Sequence, residues 1–413
     1  MKACIHRGCK EIGGSCVEIE SAGKRILVDI GLPLDSHFSD IPLPPISGLL
    51  KSDPSLLCVL ISHLHLDHYG LANKITEDIP FLISKGSLDI LKASSFLFTD
   101  QYQFRNTIIL KHRKPIILGP FKITPYLMDH SAYDAFAFLI EAEGKQIFYT
   151  GDFRGHGRKQ KLLDNLINNP PNDVNILLME GSTLGRSGID NIYPSEDDLE
   201  KQFIDHFNSA EGISFVWTSA QNIDRLVTIY KACRQTGKTI VLDLYTANIL
   251  RSLNNPRIPQ PGWKQLKVFV PKFQRIKIKE KKLFDFVRQF SGCRIYPEEI
   301  ERIAPELVVL FRPSMVRDFD KFPSLEKSIL IYSLWSGYLQ DEQYAWFKDW
   351  LNKKNISLYH CHTSGHAHVS DLQRLAESIS PETIVPIHSF EPQLYPEFFK
   401  NVRFEHDGVW WDV

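Results

Sequence analysis

The sequence predicts an α/β (α+β) fold, a strand-rich sandwich interrupted by an inserted unit with parallel βα rhythm. Three observations carry that expectation. Residues 1–190 hold many short β-branched runs and few helical signals, and residues 191–353 alternate strands with amphipathic helices. Residues 354–413 offer only a strand-helix-strand tail, too small to fold alone and therefore assigned to completing the first unit. A chain of 413 residues exceeds what one ordinary core fills, which agrees with one fold carrying a large insertion.

In the first segment, CVEIESAGKRILVDIG (16–31) reads as two strands joined by a turn at Ser21-Ala22-Gly23. LLCVLISH (56–63), KPIILGPFKITPYL (114–127), AFAFLIEA (135–142), KQIFYTGD (145–152) and VNILLMEG (174–181) follow as strands, with LANKITEDI (71–79) and LDILKASSF (88–96) as the better helices. The texture changes near residue 190. Ser195 and Asp198 make a capping box that opens the helix EDDLEKQFIDHFNSA (196–210). Strand ISFVWTS (213–219), helix NIDRLVTIYKACRQTG (222–237), strand TIVLDLY (239–245) and helix TANILRSL (246–253) then alternate. LVVLF, SILIYSLW and the helix around DEQYAWFKDWL extend the pattern to residue 353. After ISLYHCHTSGHAH come a helix, SDLQRLAESIS, a strand, IVPIHSF, and the segment NVRFEHDGVWWDV, expected to close as a strand pair.

Hydrophobic residues at 43% and charged residues at 23% exclude a disordered or fibrous chain. Lys plus Arg (48) nearly balance Asp plus Glu (49), so nucleic-acid binding must come from a local patch. No apolar run reaches the roughly 18 residues of a membrane span, and MKACIHRGCKEIGG lacks the apolar region of a signal peptide. The seven scattered cysteines, without a CxxC pair, fit a reducing compartment and argue against a structural zinc at Cys4, Cys9 and Cys16. The expectation is a cytoplasmic protein with no membrane association.

The strongest chemical signal is ISHLHLDHYG, which places His63, His65, Asp67 and His68 directly after an apolar strand. Three imidazoles and a carboxylate crowded at a strand end cannot be buried without a compensating partner, and a metal ion is that partner. Alternation points His63 and His65 the same way, and a turn brings Asp67 and His68 to a neighbouring position. Further ligands are available beyond other strand ends, at His130, Asp152 and His388.

In order along the chain, Asp29, the HxHxDH segment His63–His68, His130, Asp152 and His388 resemble the motif series of the metallo-β-lactamase superfamily. The resemblance implies an αββα sandwich with an inserted βα cap domain. It also implies that His63, His65 and His130 hold one metal, Asp67, His68 and His388 a second, with Asp152 bridging and Asp29 steadying a ligand. Later motifs resemble the β-CASP nucleases. Glu180 in LLMEGST matches their strand-end carboxylate, Thr363-Ser364-Gly365-His366 matches the SGH return, and His388 follows His366 by 22 residues. A histidine at that last position leans toward the RNA-processing branch, ribonuclease J-like and RNA 3′-end endonuclease-like. Two features depart from the pattern: His388-Ser389-Phe390 stands where HGE is usual, and the sequence runs only 25 residues beyond His388, without the extra C-terminal domain of ribonuclease J.

That kinship implies a metal-dependent phosphodiester hydrolase, a ribonuclease cutting internally or from a 5′ end, with two divalent ions, zinc first and manganese as the alternative. Two such ions roughly 3.5–4 Å apart hold a hydroxide, lowering the pKa of water toward about 7, while neutralising the phosphate. Its catalytic set is Asp67, His366, Glu180 and Asp29, with His366 assisting the leaving ribose oxygen and Glu180 orienting it. Thr363, Ser364 and Gly365, with His362, would form a small anion nest, and Ser219 and Arg225 match the family segment that opens the cap's first helix. Between Arg257 and Gly292 ten Lys or Arg face two acids. Lys272, Arg275, Lys277, Lys279, Lys281 and Lys282, with Trp263, Phe269 and Phe273 interleaved, form a candidate patch for single-stranded RNA. A DNA nuclease of the same group, a non-nuclease metallo-hydrolase and a non-cutting scaffold are the competing readings, and a homodimer is left open.

Overall fold

The computed structural model describes residues 1–34, 41–95, 104–185 and 193–413, with Ser324 described in its backbone only. The chain divides into two compact units: Met1–Leu88, Tyr102–Tyr193 and Gly365–Val413 form one, and Asp89–Gln101 with Pro194–Ser364 form the other. The expected boundary at 190/191 lies outside the described residues. The boundary expected at 353/354 moves, because strand Ser357–His360 pairs in parallel with Ile329–Tyr332 and belongs to the inserted unit's sheet.

The first unit is a sandwich of two sheets. One has seven strands in the order Trp410–Asp412, Lys2–Arg7, Cys16–Ser21, Lys24–Val28, Leu56–Leu60, Phe81–Ser84, Thr107–Leu110. The other has six, Thr383–Ile387, Ile176–Glu180, Lys145–Tyr149, Ala135–Ala142, Phe121–Met128 and Ile116–Leu118. Period-two alternation explains the layering. Ile26, Val28, Cys58 and Leu60 from the first sheet meet Phe136, Phe138, Ile140, Ile147, Tyr149, Ile176 and Leu178 from the second in one shared core. The opposite residues of the second sheet, Leu139, Phe148, Leu177 and Met179, face outward onto Leu163 and Leu166 of helix Lys161–Asn168 and onto Leu372, Leu375 and Ile379 of helix Val369–Ile379. Strands buried on both faces read as continuous apolar runs, as ILLME at Ile176–Glu180 does.

The second unit carries a six-stranded, wholly parallel sheet in the order Leu266–Phe269, Thr239–Asp243, Leu307–Leu310, Ser214–Trp217, Ile329–Tyr332, Ser357–His360. Three of its described helices begin where the sequence supplies caps. Ser195 accepts from the Asp198 N–H in a full capping box, and Asn222 accepts from the Arg225 N–H. Asp243 accepts from the Thr246 N–H, so the strand read as Thr239–Tyr245 stops at Asp243 and Leu244–Ser252 is helical.

Three other expectations change. LANKITEDI forms only the 3-10 turn Ala72–Lys74; Ile75 is extended, and Pro80 disfavours a helical Ile79. The C-terminal segment adds one strand, Trp410–Asp412 on Lys2–Arg7, while Val402 makes an isolated bridge to Ile384. Helix Lys85–Ser94 appears as expected up to Ser94; Phe96 lies outside the described residues. All seven cysteines are buried and unpaired, and no described helix is long and apolar enough to cross a membrane.

Candidate metal centre

Most of the predicted site residues lie at or just past a strand end of the first unit, while Asp67 and His68 lie on the short helix Leu66–Tyr69. Asp29 follows Lys24–Val28, His63 follows Leu56–Leu60, His130 follows Phe121–Met128, Asp152 follows Lys145–Tyr149, and His388 follows Thr383–Ile387, while Glu180 ends Ile176–Glu180. Asp29 and His388 adopt left-handed backbone, φ 61° and φ 54°, a conformation uncommon outside glycine that turns each side chain off its strand. Gly31 is obligatory for space: a Cβ there would overlap the carbonyl of Asp67, so only glycine lets the HxHxDH turn pack against the strand end.

The donors converge in groups. One ring nitrogen or carboxylate oxygen from each of His63, His65, His130 and Asp152 lies within 4.8 Å of the others, and the same holds for Asp67, His68, Asp152 and His388. Asp152 belongs to both, and a third group joins it to Glu180 and His366. His65 Nδ1 is 3.1 Å from both His63 Nε2 and His130 Nε2. Asp152 Oδ2 stands 3.1 Å from His68 Nε2 and 3.6 Å from His63 Nε2 and from His388 Nε2.

The far nitrogens of His130, His68 and His63 are held, which sets what their near ones present. His130 Nδ1 donates to the Gly365 carbonyl at 2.5 Å, and His68 Nδ1 donates to Asp29 Oδ2 at 2.7 Å. The Ser62 hydroxyl gives its proton to Asp29 Oδ2 at 2.7 Å, so its lone pairs accept from His63 Nδ1 at 3.1 Å. Asp29 also receives the Ser62 N–H and, at 2.8 Å, the Tyr149 hydroxyl. His63 and His130 therefore aim bare Nε2 lone pairs at one point beside His65. Convergent lone pairs repel unless a cation lies among them. Asp152 Oδ1 and His388 Nε2 are buried with no hydrogen-bond partner among the described residues. Such atoms cost free energy unless compensated. The donor set, imidazoles and carboxylates, suits a divalent ion.

The electrostatics agree at four of the five proposed ligand rings. Burial, helped by the neighbouring imidazoles, pushes His63 and His130 well below the ordinary range, and burial lowers His65 and His388 as well. These rings are held neutral, the form that ligates metal. Burial opposes charge on His68 too, but Asp152 and Asp29 outweigh it and raise that ring well above its usual value. Asp152 is held well below the carboxylate range: burial works against its charge, and His388, His68 and His366 overcome it. His366 donates from Nδ1 to Glu180 Oε2 at 2.9 Å; burial resists its charge, yet Glu180 and Asp152 raise it to about 9. The Phe153 N–H donates to Glu180 Oε1 at 2.9 Å, which keeps that carboxylate aimed at the ring.

Comparison with known proteins follows the same lines. Residues 24–181 match the family model of the beta-lactamase superfamily domain, and residues 353–395 match the Zn-dependent metallo-hydrolase RNA specificity domain. These two domains, with the relatives that follow, support the metallo-β-lactamase superfamily and its β-CASP, ribonuclease J-like group. Ribonuclease J of Mycobacterium tuberculosis is 23% identical over 92% of the chain and 67% of its own length. Ribonuclease J of Helicobacter pylori is 29% identical over 53% of the chain, and an RNase J-like protein of Methanocaldococcus jannaschii is 32% identical over 49%. The matches span 33% and 47% of those two proteins, so the chain covers a third to a half of their length. A crystal structure of a protein of unknown function from Enterococcus faecalis V583 shares the fold across 99% of both chains, with a TM-score of 0.79 at 22% identity.

Residues that β-CASP kinship suggested for substrate contact fare unevenly. Ser219 is exposed. Arg225 corrects the expectation of a phosphate contact: it is fully buried and its guanidinium is committed to Glu196 at 3.0 Å and to Ser333. Thr363 is buried, its hydroxyl without a hydrogen-bond partner among the described residues, while Ser364 and Gly365 are half-buried. Phe269 is a second correction. Strand Leu266–Phe269 places it in the inserted unit's core, where it cannot stack on a base. Trp263 is half-buried against the Tyr230 ring at 5.6 Å, and Phe273 is exposed. Lys272, Arg275, Lys277 and Lys279 lie on helix Lys272–Glu280 and Lys281 and Lys282 just past it, with Arg275 paired to Asp318 and Lys277 to Glu280. Sequence reasoning passed over Ser62, Tyr149, Gly13 and Ser15, which hold the ligands in place. The Ser62-His63 adjacency and the Gly13-Gly14-Ser15 run were the available signals.

Proposed function

We propose that the chain is a metal-dependent ribonuclease of the cytoplasm, acting on single-stranded RNA with two divalent ions, zinc in first place and manganese as the alternative. The observation that carries this reading is Asp152, shared by two convergent donor groups in a chain whose curated relatives are named ribonuclease J. His63, His65, His130 and Asp152 would hold one ion, and Asp67, His68, His388 and Asp152 the other. When bound, the ions would neutralise phosphate charge and acidify a water molecule.

The protein's own groups do the rest. Four of the five ligating imidazoles, His63, His68, His130 and His388, are buried and His65 is half-buried. His366 holds a proton on Nδ1 for Glu180, which leaves Nε2 to serve the departing ribose oxygen, a role worth about 10²–10⁴ in rate. Asp29, through Ser62 and His68, fixes one ring from each ligand group. Ser219, Thr363, Ser364 and Gly365 remain the proposed phosphate contacts.

Incubating the purified chain, loaded with zinc or manganese, with single-stranded RNA, matched DNA and an acyl-lactone tests the reading. RNA should be cut and chelation should stop it. Preference for DNA or the lactone would replace ribonuclease by another hydrolase. Circular RNA separates modes, since only internal cleavage opens a circle.

A further inference from the structure

We propose that Ser15 is a positioning residue for the second ion, because its hydroxyl is the acceptor that the metal-binding tautomer of His388 needs at Nδ1. The inference rests on His388 being a ligand, as proposed above.

Ser15 is fully buried and tied on three sides. Its N–H donates to the Asp67 carbonyl at 3.1 Å, its carbonyl accepts from the Gly31 N–H at 3.0 Å, and its Oγ lies 3.0 Å from His388 Nδ1. One residue therefore grips both Asp67 and His388, two members of one donor group that are far apart in sequence. The His388 N–H donates to the Gly8 carbonyl at 2.8 Å, so the ring hangs from a fixed backbone and turns mainly about its side-chain bonds.

The tautomer follows from the groups around Nδ1. A neutral imidazole carries one proton, and only the nitrogen without it can bind a metal. For Nε2 to ligate, Nδ1 must carry the proton and find an acceptor. Two groups face Nδ1: the Ser15 hydroxyl, and the Gly13 N–H at 3.4 Å. The Gly13 N–H is a donor, and by itself it favours a bare Nδ1 with the proton on Nε2, which cannot ligate. The Ser15 oxygen can accept from Nδ1–H at the shorter distance. The hydroxyl can also donate to a bare Nδ1; once a cation takes the Nε2 lone pair the proton must sit on Nδ1, and the Ser15 oxygen at 3.0 Å is then its acceptor, which the Gly13 N–H at 3.4 Å cannot be. At His63 and His68 the Ser62 and Asp29 oxygens play the matching part, and at His130 the Gly365 carbonyl does, so His388 is the one ring of these four whose tautomer depends on a hydroxyl set against an opposing N–H.

The test is metal binding and tautomer, read without RNA. In the ¹⁵N spectrum of the zinc-loaded wild type, His388 should carry its proton on Nδ1. Ser15→Ala keeps the backbone bonds to Asp67 and Gly31 but removes the acceptor. It should weaken the second zinc ion by about 10–100-fold in competitive chelation, leaving the first unchanged. Ser15→Thr, which keeps the hydroxyl, should restore most of that affinity. A zinc-loaded wild type whose His388 lacks a proton on Nδ1, or a Ser15→Ala protein that binds both zinc ions like wild type, would overturn the inference. An inactive protein that binds both ions and loses one on Ser15→Ala would instead sink the ribonuclease reading and leave this one standing.

Discussion

The metal centre and the basic stretch from Arg257 to Gly292 both concentrate ionisable side chains, and they are built in opposite ways. At the centre the donors are buried, and the far nitrogens of four of the rings are fixed by a carboxylate, a hydroxyl or a carbonyl. In the stretch, Lys272, Arg275, Lys279 and Lys282 are exposed, and nearby acids pair part of the charge. Burial without compensation is expensive, so a buried polar cluster implies what must fill it. Exposed lysines are stable in water and imply little by themselves. Arg225 and Glu196 stand between the two cases: buried charges that satisfy one another and therefore ask for no ligand.

The comparison is broken most directly at Asp152. Asp152→Ala removes the carboxylate shared by both donor groups while enlarging nothing in the core. The proposed ribonuclease should lose about 10³-fold or more in turnover, several kcal/mol of charge stabilisation, and bind less metal by elemental analysis. Near-normal turnover by that variant would mean that the buried cluster is not the reaction centre.

The middle case makes a stability prediction. Arg225→Ala leaves Glu196 buried with the Thr228 hydroxyl but no cation, and should destabilise the chain by about 3–5 kcal/mol in denaturant unfolding. Replacing both partners with apolar residues should recover much of that loss. If Arg225 instead meets phosphate, Arg225→Ala would barely alter stability and would chiefly raise the KM for RNA.

Legibility followed the same division. His63, His65, Asp67 and His68 were readable because four donors lie within six residues, and the motif order then located His130, Asp152 and His388. Ser15, Ser62 and Tyr149 were not readable. Serine and tyrosine are common, and these three gain their roles from what the fold brings beside them: Ser15 meets a histidine 373 residues away. Strand Leu266–Phe269 was hidden in a run of positive charge, although LKVF is the apolar edge of a parallel sheet. Strand Lys2–Arg7 was hidden likewise, since KACIHR buries Ala3, Cys4 and Ile5 between polar ends. Ser357–His360 belongs to a different unit from the one its position suggests, because a parallel strand names no neighbour in its own sequence.

The smallest effect belongs to the exposed patch. Changing Lys277, Lys279, Lys281 and Lys282 together to glutamine should leave metal content and folding unchanged. If these side chains lie along an RNA strand, each phosphate left without its lysine lowers the slope of log affinity against log salt by about 0.7. Lys277 is already paired with Glu280 at 3.0 Å, so its share should be the least. The weakening should therefore be largest at low salt and fade as salt rises, whereas a defect that began at the metal centre would persist at every ionic strength. An unchanged slope assigns the patch to solvation alone and places RNA affinity elsewhere in the chain.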